Sequence, residues 1–225
     1  MSENLPAQPS KRVAEFLERA KTQASHRGRL CFVIDATGSR ERTWDASARL
    51  QAQMFDEAGK IGTLDVQLIY FRGLESFGGE CKASRWTSDG RELANQMTRV
   101  TCQTGHTQYQ KALEHVRKEH ASQSVSACVI VGDMCEETPH ALYDVASGLG
   151  VKCFVFQEGD DQHAAKIFKR IAELTKGAYS QFRPGAEREL ADLLRAVAAF
   201  STGGLTALSD LRSEAARMLL GQMKK

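Results

Sequence analysis

The residues with the clearest potential for chemistry form a short polar run directly after an apolar segment. The run is Asp35-Ala36-Thr37-Gly38-Ser39, and it follows Leu30-Cys31-Phe32-Val33-Ile34. A carboxylate followed by hydroxyls at alternating positions, where a buried strand ends, offers several hard oxygen donors in one turn. Such donors favour Mg²⁺ or a similar hard cation over zinc or copper. The run therefore indicates a site for a divalent cation.

Two later segments offer further oxygen donors of the same kind. Gly105-His106-Thr107 opens the apolar helical pattern of Ala112, Leu113 and Val116, and Val129-Ile130-Val131-Gly132-Asp133 is a second apolar strand that ends in an aspartate. Capping of the following helices is a compatible role for the hydroxyl and carboxylate residues. We expect the three segments to contribute to one site.

Together these segments resemble the metal-ion-dependent adhesion site of von Willebrand factor type A (VWA) domains. That family's site reads D-x-S-x-S, followed by a distant Thr and a distant Asp. The resemblance extends from about Leu30 to about Phe200 and implies these metal ligands: Asp35, Thr37, Ser39, Thr107 and Asp133. Two positions depart from the family pattern. Thr37 replaces the usual Ser but keeps the hydroxyl, and Met134 stands where a Gly often follows the last Asp.

The resemblance also implies how the site works. The ion would be Mg²⁺ or Mn²⁺, and a carboxylate from a partner protein's Asp or Glu would complete its coordination. The implied function is cation-dependent protein binding by a bacterial-type cytoplasmic member of the family, with no catalytic residues. The ligand rim would consist of the residues beside the metal ligands: Gly38, Arg40, Gly105, His106 and Met134. Arg40 in particular could steer an acidic partner.

The elements that position these residues alternate between strand and helix. Short runs rich in Val, Ile, Leu, Phe and Cys predict buried strands at 30–34, 64–71, 125–131, 151–157 and 178–182, with an edge strand at 81–86. Helices are predicted near 43–58, 89–99, 107–121, 139–148, 161–175 and 187–200. This alternation predicts an α/β fold with a doubly wound, mostly parallel sheet and helices on both faces.

The resemblance implies a Rossmann-like strand order with an antiparallel edge strand. In open sheets of this type, ligands bind beyond the carboxyl ends of the strands, where the strand order reverses. Asp35 and Asp133 both follow such strand ends in the sequence. The predicted architecture and the predicted metal site therefore point to the same edge of the sheet.

We divide the chain into a VWA domain at 29–200 and two short extensions. Residues 1–28 contain an amphipathic helix from about Lys11 to Ala24. Residues 201–225 contain a hinge at Ser201-Thr202-Gly203-Gly204 and a second amphipathic helix that carries Leu208 and Leu219. Exposed apolar stripes are costly, so we expect these flanking helices to pack against the domain, although docking to another subunit is an alternative.

The bulk composition excludes several classes of function. The chain has 225 residues, 42% hydrophobic content and a formal net charge of +2, which gives no indication of binding to nucleic acid or to an anionic membrane. We find no signal peptide and no apolar run long enough for a membrane helix. The six cysteines form no C-x-x-C pair. A reducing, cytoplasmic location fits this pattern best.

Other interpretations of the polar residues remain open. Cys102, His106, Cys135 and His140 could form a zinc site, although their spacing is loose. Ser39, His106 and Asp133 could form a hydrolase triad, although there is no G-x-S-x-G motif. At the level of function, the alternatives to a binding module are a metal-assisted hydrolase or phosphoryl-transfer enzyme, and a scaffold with a vestigial site that binds through its terminal helices.

Overall fold

The sheet has the predicted order, with one antiparallel strand at its edge. The structure is a computed structural model that describes residues 27–40, 64–74, 79–183 and 186–223. Its described strands are β1 (Gly28–Asp35), β2 (Leu64–Arg72), β3 (Glu80–Ala83), β4 (Ala127–Gly132), β5 (Cys153–Glu158) and β6 (Ala178–Phe182). They lie in the order β3-β2-β1-β4-β5-β6, and all neighbouring pairs are parallel except β2 with β3. The predicted fold class is confirmed.

The central strands form where the sequence is continuously apolar, because helices cover both faces of a parallel sheet. Every residue of β1, β4 and β5 is buried. The edge strand β3 is polar and ends earlier than predicted, at Ala83. Trp86 lies beyond it, where the guanidinium of Arg29 stacks 3.8 Å above the indole ring and the indole N–H donates to Glu119.

The described helices lie on both faces of the sheet, as predicted. They are α1 (Gly90–Arg99), α2 (Tyr109–Ser122), α3 (Pro139–Ser147), α4 (Gln162–Leu174), α5 (Glu187–Asp210) and α6 (Glu214–Met223). Apolar residues of α1, α5 and α6 join one core cluster, and those of α2, α3 and α4 join the other. The predicted helices at 11–24 and 43–58 lie outside the described residues.

The C-terminal segment departs from the prediction in two respects: the predicted hinge is part of helix α5, and Leu208 lies on α5 rather than on the last helix, which begins at Glu214. Helix α5 continues through the predicted hinge to Asp210 and is interrupted at one residue, Gly204, whose φ of 65° and ψ of −153° are not helical. Such a conformation is readily adopted only by glycine. The C-terminal amphipathic helix was expected to pack on the domain. This is confirmed for α6, since Ala216 and Leu219 are buried in the core. Gln222 also bonds the backbone of Tyr179 in β6.

The cysteines behave as small apolar residues. Cys31, Cys128 and Cys153 occupy paired positions on three neighbouring strands and are fully buried. All six cysteines are free, and burial raises the pKa of the Cys31 thiol far above its ordinary value. None of the described helices combines the length and apolar character that crossing a lipid bilayer requires.

Candidate metal centre

The two aspartates of the predicted site end adjacent parallel strands. Asp35 is the last residue of β1, and Asp133 directly follows β4. The register pairs Ile34 with Val131, so Asp35 lies next to Gly132, and Asp133 follows one residue later at the same carboxyl edge of the sheet. The chain order of the strands reverses between β1 and β4, which is where open α/β sheets bind ligands.

Asp35 is a fully buried carboxylate, and both of its oxygens accept hydrogen bonds. Its Oδ1 accepts from the backbone N–H of Thr37 at 2.8 Å. Its Oδ2 accepts from the hydroxyl of Tyr109 at 3.2 Å. The hydroxyl oxygens of Thr37 and Ser39 lie 3.2 Å apart on the same turn. The structure therefore brings together the three ligands predicted from the first segment.

The surroundings of Asp35 hold its carboxylate at an unusual pKa. Burial raises the pKa of Asp35 to about 6, and repulsion from Asp133 adds to this effect, whereas hydrogen bonds from Thr37 and the charge of Arg40 oppose it. The Oδ1 atom of Asp133 is buried and has no hydrogen-bond partner within the described part of the chain. A buried carboxylate oxygen without a donor is costly, and a bound cation would remove that cost.

Thr107 is held by the loop that follows Asp133. Its backbone N–H donates to Oε2 of Glu136 at 3.0 Å, and its hydroxyl oxygen accepts from the backbone N–H of Glu136 at 3.0 Å. Among the described contacts, none joins Thr107 directly to Asp35, Thr37 or Ser39. The structure thus ties the Thr107 segment to the Asp133 loop and leaves its approach to the first segment indirect.

Two residues that fix the beginning of α2 were missed by the sequence analysis: Tyr109, the first residue of the helix, and Glu137, in the loop that follows Asp133. Glu137 accepts hydrogen bonds from the backbone N–H groups of Tyr109, at 2.6 Å, and Gln110, at 2.8 Å. It satisfies these helix-terminal donors because the side chain at the N-cap, Gln108, makes no capping bond. The Glu137 carboxylate bonds Tyr109 across 28 residues of sequence, and the buried Tyr109 hydroxyl bonds Asp35 across 74 residues. No local pattern could therefore have revealed these contacts.

Arg40 is buried below the site, and its predicted place at the ligand rim is wrong. Only 1% of the residue is exposed. Its Nε and Nη2 donate to Oε2 of Glu158 at 3.1 and 2.9 Å, and its Nη1 donates to the backbone carbonyl of Asp35 at 3.2 Å. The 3₁₀ turn Gly38–Arg40 brings the guanidinium to the end of β5, where Glu158 supplies the opposite charge.

Of the other predicted rim residues, Met134 and His106 are exposed, whereas Gly105 and Gly38 lie where two parts of the chain come into close contact. Met134 is 42% exposed, and the His106 side chain is 71% exposed with Nδ1 placed 3.2 Å from Oε2 of Glu136. Gly105 instead allows two loops to touch, since a Cβ at Gly105 would stand 2.1 Å from the carbonyl of Gly73. In the same way, a Cβ at Gly38 would stand 2.9 Å from the hydroxyl oxygen of Thr104.

The donor set fits a hard cation and does not fit zinc. Among the described residues, no three His, Cys, Asp or Glu side chains are grouped so that they could hold a metal ion. The predicted alternative of a zinc site built from Cys and His therefore gains no support. The oxygen donors at the carboxyl edge are two carboxylates and two neighbouring hydroxyls, which is the chemistry that Mg²⁺ and Mn²⁺ accept.

Comparison with known proteins gives matches in structure. No protein-family model and no curated protein matches the chain. A von Willebrand factor type A structure from Catenulispora acidiphila has a TM-score of 0.58 at 18% identity, over 78% of this chain and 43% of that chain. The pilus adhesin SpaC from Lactobacillus rhamnosus GG has a TM-score of 0.57 at 12% identity, over 78% of this chain and 30% of that chain.

The match with a third structure covers most of that domain. The SpRpn10 VWA domain has a TM-score of 0.54 at 9% identity, and the match covers 71% of this chain and 89% of that domain. By contrast, this chain spans less than half of the Catenulispora protein and less than a third of SpaC. These superpositions identify the architecture. The chain has the α/β fold of von Willebrand factor type A domains.

Proposed function

We propose that the chain is a protein-binding module that depends on a divalent cation, Mg²⁺ or Mn²⁺. An Asp or Glu side chain of the partner would complete the coordination of the ion. The observation that carries this proposal is the pair of neighbouring carboxylates at the carboxyl edge: Asp35 is fully buried, and Asp133 has a buried oxygen without a hydrogen-bond partner among the described residues.

The residues that would hold the ion are those of the first segment together with Asp133. The Thr37 N–H orients Asp35, and the Thr37 and Ser39 hydroxyls stand next to each other on the same turn. Thr107 would reach the ion together with the Asp133 loop, to which Glu136 binds it. When bound, the cation would supply an electrophilic centre for an oxygen ligand from outside the chain.

The charge balance favours an acidic partner. Two carboxylates offset the charge of a divalent ion and add no excess negative charge that would repel a third carboxylate. Arg40 lies near Asp35, but its guanidinium is paired with Glu158 and buried, so it stays within the domain. Electrostatic complementarity of this kind selects partners and accelerates their association. The adhesin SpaC shares the fold, which is consistent with a role in binding.

The contacts of His106 give little support to an enzymatic alternative. In the sequence, His106 is the one obvious candidate for a general base near the two acids. In the structure its Nδ1 faces Glu136, and no described contact joins it to Asp35 or Asp133. A general base must reach the proton that it removes, directly or through one water. We therefore propose a binding role without catalysis.

The scaffold alternative is weakened by the packing of the C-terminal helix. The apolar residues Ala216 and Leu219 of α6 are buried against the chain's own core. Residues that are already covered cannot serve a partner without partial unfolding. The metal-centred edge remains the better candidate for a binding surface.

A capture experiment tests the proposal. The chain would be immobilised and exposed to a native lysate in millimolar Mg²⁺ or in chelator, and captured proteins would be identified by mass spectrometry. We expect a partner that is retained in Mg²⁺ and lost in chelator. Asp35→Ala should lose it as well, whereas Asp192→Ala, which removes a surface carboxylate that is 61% exposed, should retain it.

The same experiment separates the alternatives. A partner retained equally in chelator and by Asp35→Ala would contradict the proposal, and its loss on deletion of residues 205–225 would indicate the scaffold role. Turnover of ester or phosphate substrates that disappears in Asp133→Ala would indicate an enzyme. Once a partner is known, replacing its acidic residues one at a time should identify one carboxylate whose loss abolishes binding.

A further inference from the structure

We propose that Tyr109 is a positioning residue of the cation site: its buried hydroxyl holds the Asp35 carboxylate in the orientation that binds the ion, and Gly132 provides the space for that hydroxyl. The inference rests on the proposed cation-binding function. It adds a residue from helix α2 and a residue from strand β4 that the D-x-T-x-S segment does not contain.

The ring of Tyr109 is fixed in place by its neighbours. The residue has no exposed surface. Its ring packs edge to face against Phe71, with the centroids 4.7 Å apart, and against Phe168, with the centroids 5.3 Å apart. Aromatic pairs of this geometry add to the stabilisation from burial. The hydroxyl can therefore leave Asp35 only if the core around the ring rearranges.

The hydroxyl occupies space that a side chain at position 132 would need. A Cβ at Gly132 would stand 1.8 Å from the Tyr109 hydroxyl oxygen, 3.0 Å from the Tyr109 Cζ and 3.4 Å from the Cβ of Asp35. Every other residue type is excluded there while the hydroxyl keeps its position. Since Gly132 directly precedes Asp133, the contact joins the ends of both strands that carry the acidic ligands.

The backbone of Tyr109 is held by a hydrogen bond as well. Its N–H donates to Oε2 of Glu137 at 2.6 Å, and Glu137 belongs to the loop that follows Asp133. Tyr109 is thus attached to the Asp133 loop through its backbone and to Asp35 through its hydroxyl. It also lies two residues after Thr107 in the sequence.

This arrangement fixes the rotation of the carboxylate. A phenolic hydroxyl donates one hydrogen bond, and each carboxylate oxygen has two lone pairs. The Tyr109 hydroxyl uses one lone pair of Oδ2, and the Thr37 N–H uses one lone pair of Oδ1, so each oxygen keeps acceptor capacity for an ion or its water. Removing a hydrogen-bond partner of a ligating side chain commonly lowers metal affinity by roughly 10- to 100-fold.

The test compares Mn²⁺ binding, measured by electron paramagnetic resonance, in the wild type and in Tyr109→Phe. Phenylalanine keeps the packed ring and removes the hydroxyl. We expect the dissociation constant for Mn²⁺ to rise roughly tenfold or more. The melting temperature of both proteins in chelator is measured alongside: a purely structural role of the hydroxyl would lower the melting temperature of Tyr109→Phe and leave its affinity for Mn²⁺ at the wild-type value. Tyr143→Phe is the matched control, since Tyr143 packs against the same core cluster, and it should bind Mn²⁺ like the wild type.

A second variant checks the contact independently of Tyr109→Phe. Gly132→Ala should weaken Mn²⁺ binding and destabilise the wild type, and it should destabilise Tyr109→Phe by a smaller amount, because the closest obstructing atom is then absent. Equal Mn²⁺ affinity in Tyr109→Phe and the wild type, or equal effects of Gly132→Ala in both backgrounds, would overturn this inference alone. If the wild type shows no Mn²⁺ binding that Asp133→Ala removes, both this inference and the proposed function are overturned.

Discussion

The buried carboxylate of Asp35 destabilises the domain when no cation is bound. It is fully buried, the charge of Asp133 adds to the rise in its pKa, and the nearby Arg40 guanidinium is directed to Glu158 and to the backbone of Asp35. Natural proteins keep such costly groups chiefly at functional sites. At the residue scale, the cation hypothesis therefore explains why an aspartate stands at this position.

The pH dependence of stability tests this view of Asp35. Burial is the main cause that raises its pKa from the ordinary 3.8 to about 6, so the folded state holds the proton more tightly than the unfolded state does. The stabilisation of the folded state that comes from protonated Asp35 is complete below about pH 4 and is lost as the pH rises through 6. This difference in pKa corresponds to about 3 kcal/mol.

Asp35→Asn isolates the effect because asparagine does not titrate. We expect the free energy of unfolding of this variant, measured with urea in chelator, to exceed that of the wild type by an amount that grows between pH 4 and pH 7. Millimolar Mg²⁺ should stabilise the wild type at pH 7.5 and leave Asp35→Asn unchanged. A difference between the two proteins that does not vary with pH would refute the assignment of a buried, uncompensated carboxylate.

At the scale of elements, buried polar contacts hold the strand ends and helix α2 in register. The Arg40 guanidinium links the end of β1 to Glu158 at the end of β5. Glu137, in the loop between β4 and α3, caps the first turn of α2. These contacts connect the loops that carry the proposed ligands, so their loss should affect stability and the site together.

Breaking the buried ion pair should be costly. Arg40→Met leaves the Glu158 carboxylate buried without its guanidinium, and loss of one partner of such a pair typically costs about 3–5 kcal/mol. Replacing both residues, as in Arg40→Met with Glu158→Leu, should recover much of that loss. Urea denaturation measures both effects. Arg195→Met serves as the control for a surface pair and should cost less than about 1 kcal/mol. Equal effects of Arg40→Met and Arg195→Met would show that the Arg40 pair is not buried as described.

Removing the cap of α2 should have a smaller effect. Glu137→Ala deprives the Tyr109 and Gln110 N–H groups of their acceptor, and loss of a helix cap costs about 0.5–2 kcal/mol. Glu137→Gln keeps one acceptor oxygen and should fall between the alanine variant and the wild type. Glu173→Ala, which removes a carboxylate that is 65% exposed, should be nearly neutral in the same thermal unfolding measurement. Wild-type stability in Glu137→Ala would exclude the capping role.

On the scale of the whole molecule, the C-terminal helix belongs to the domain. Leu219 of α6 is fully buried in the core cluster that also contains residues of β1, β4 and α5. Truncation of a buried leucine costs about 2–5 kcal/mol, so Leu219→Ala should lower the free energy of unfolding by that amount. Leu211→Ala, at a position that is 37% exposed, should have a much smaller effect. Equal effects of the two variants would mean that α6 does not pack as described.

The fold was predictable from sequence because its central strands are buried on both faces. The apolar runs of β1, β4 and β5 left little choice of element, and the assignment of metal ligands to the first segment stays a prediction. Arg40, Tyr109 and Glu137 were misplaced or missed because their partners are distant in sequence. The Arg40–Glu158 contact spans 118 residues, and only the folded sheet brings its ends together.

The most direct test of the account is to locate Mn²⁺ by its anomalous scattering in crystals of the wild-type protein soaked with the ion. We predict one strong peak at the carboxyl edge of the sheet, with oxygens of Asp35, Ser39 and Asp133 bound to it directly or through water, at metal–oxygen distances of about 2.2 Å for the direct contacts. A peak located only elsewhere on the protein, or no peak at a saturating concentration of Mn²⁺, would contradict the claim that this edge is a cation site.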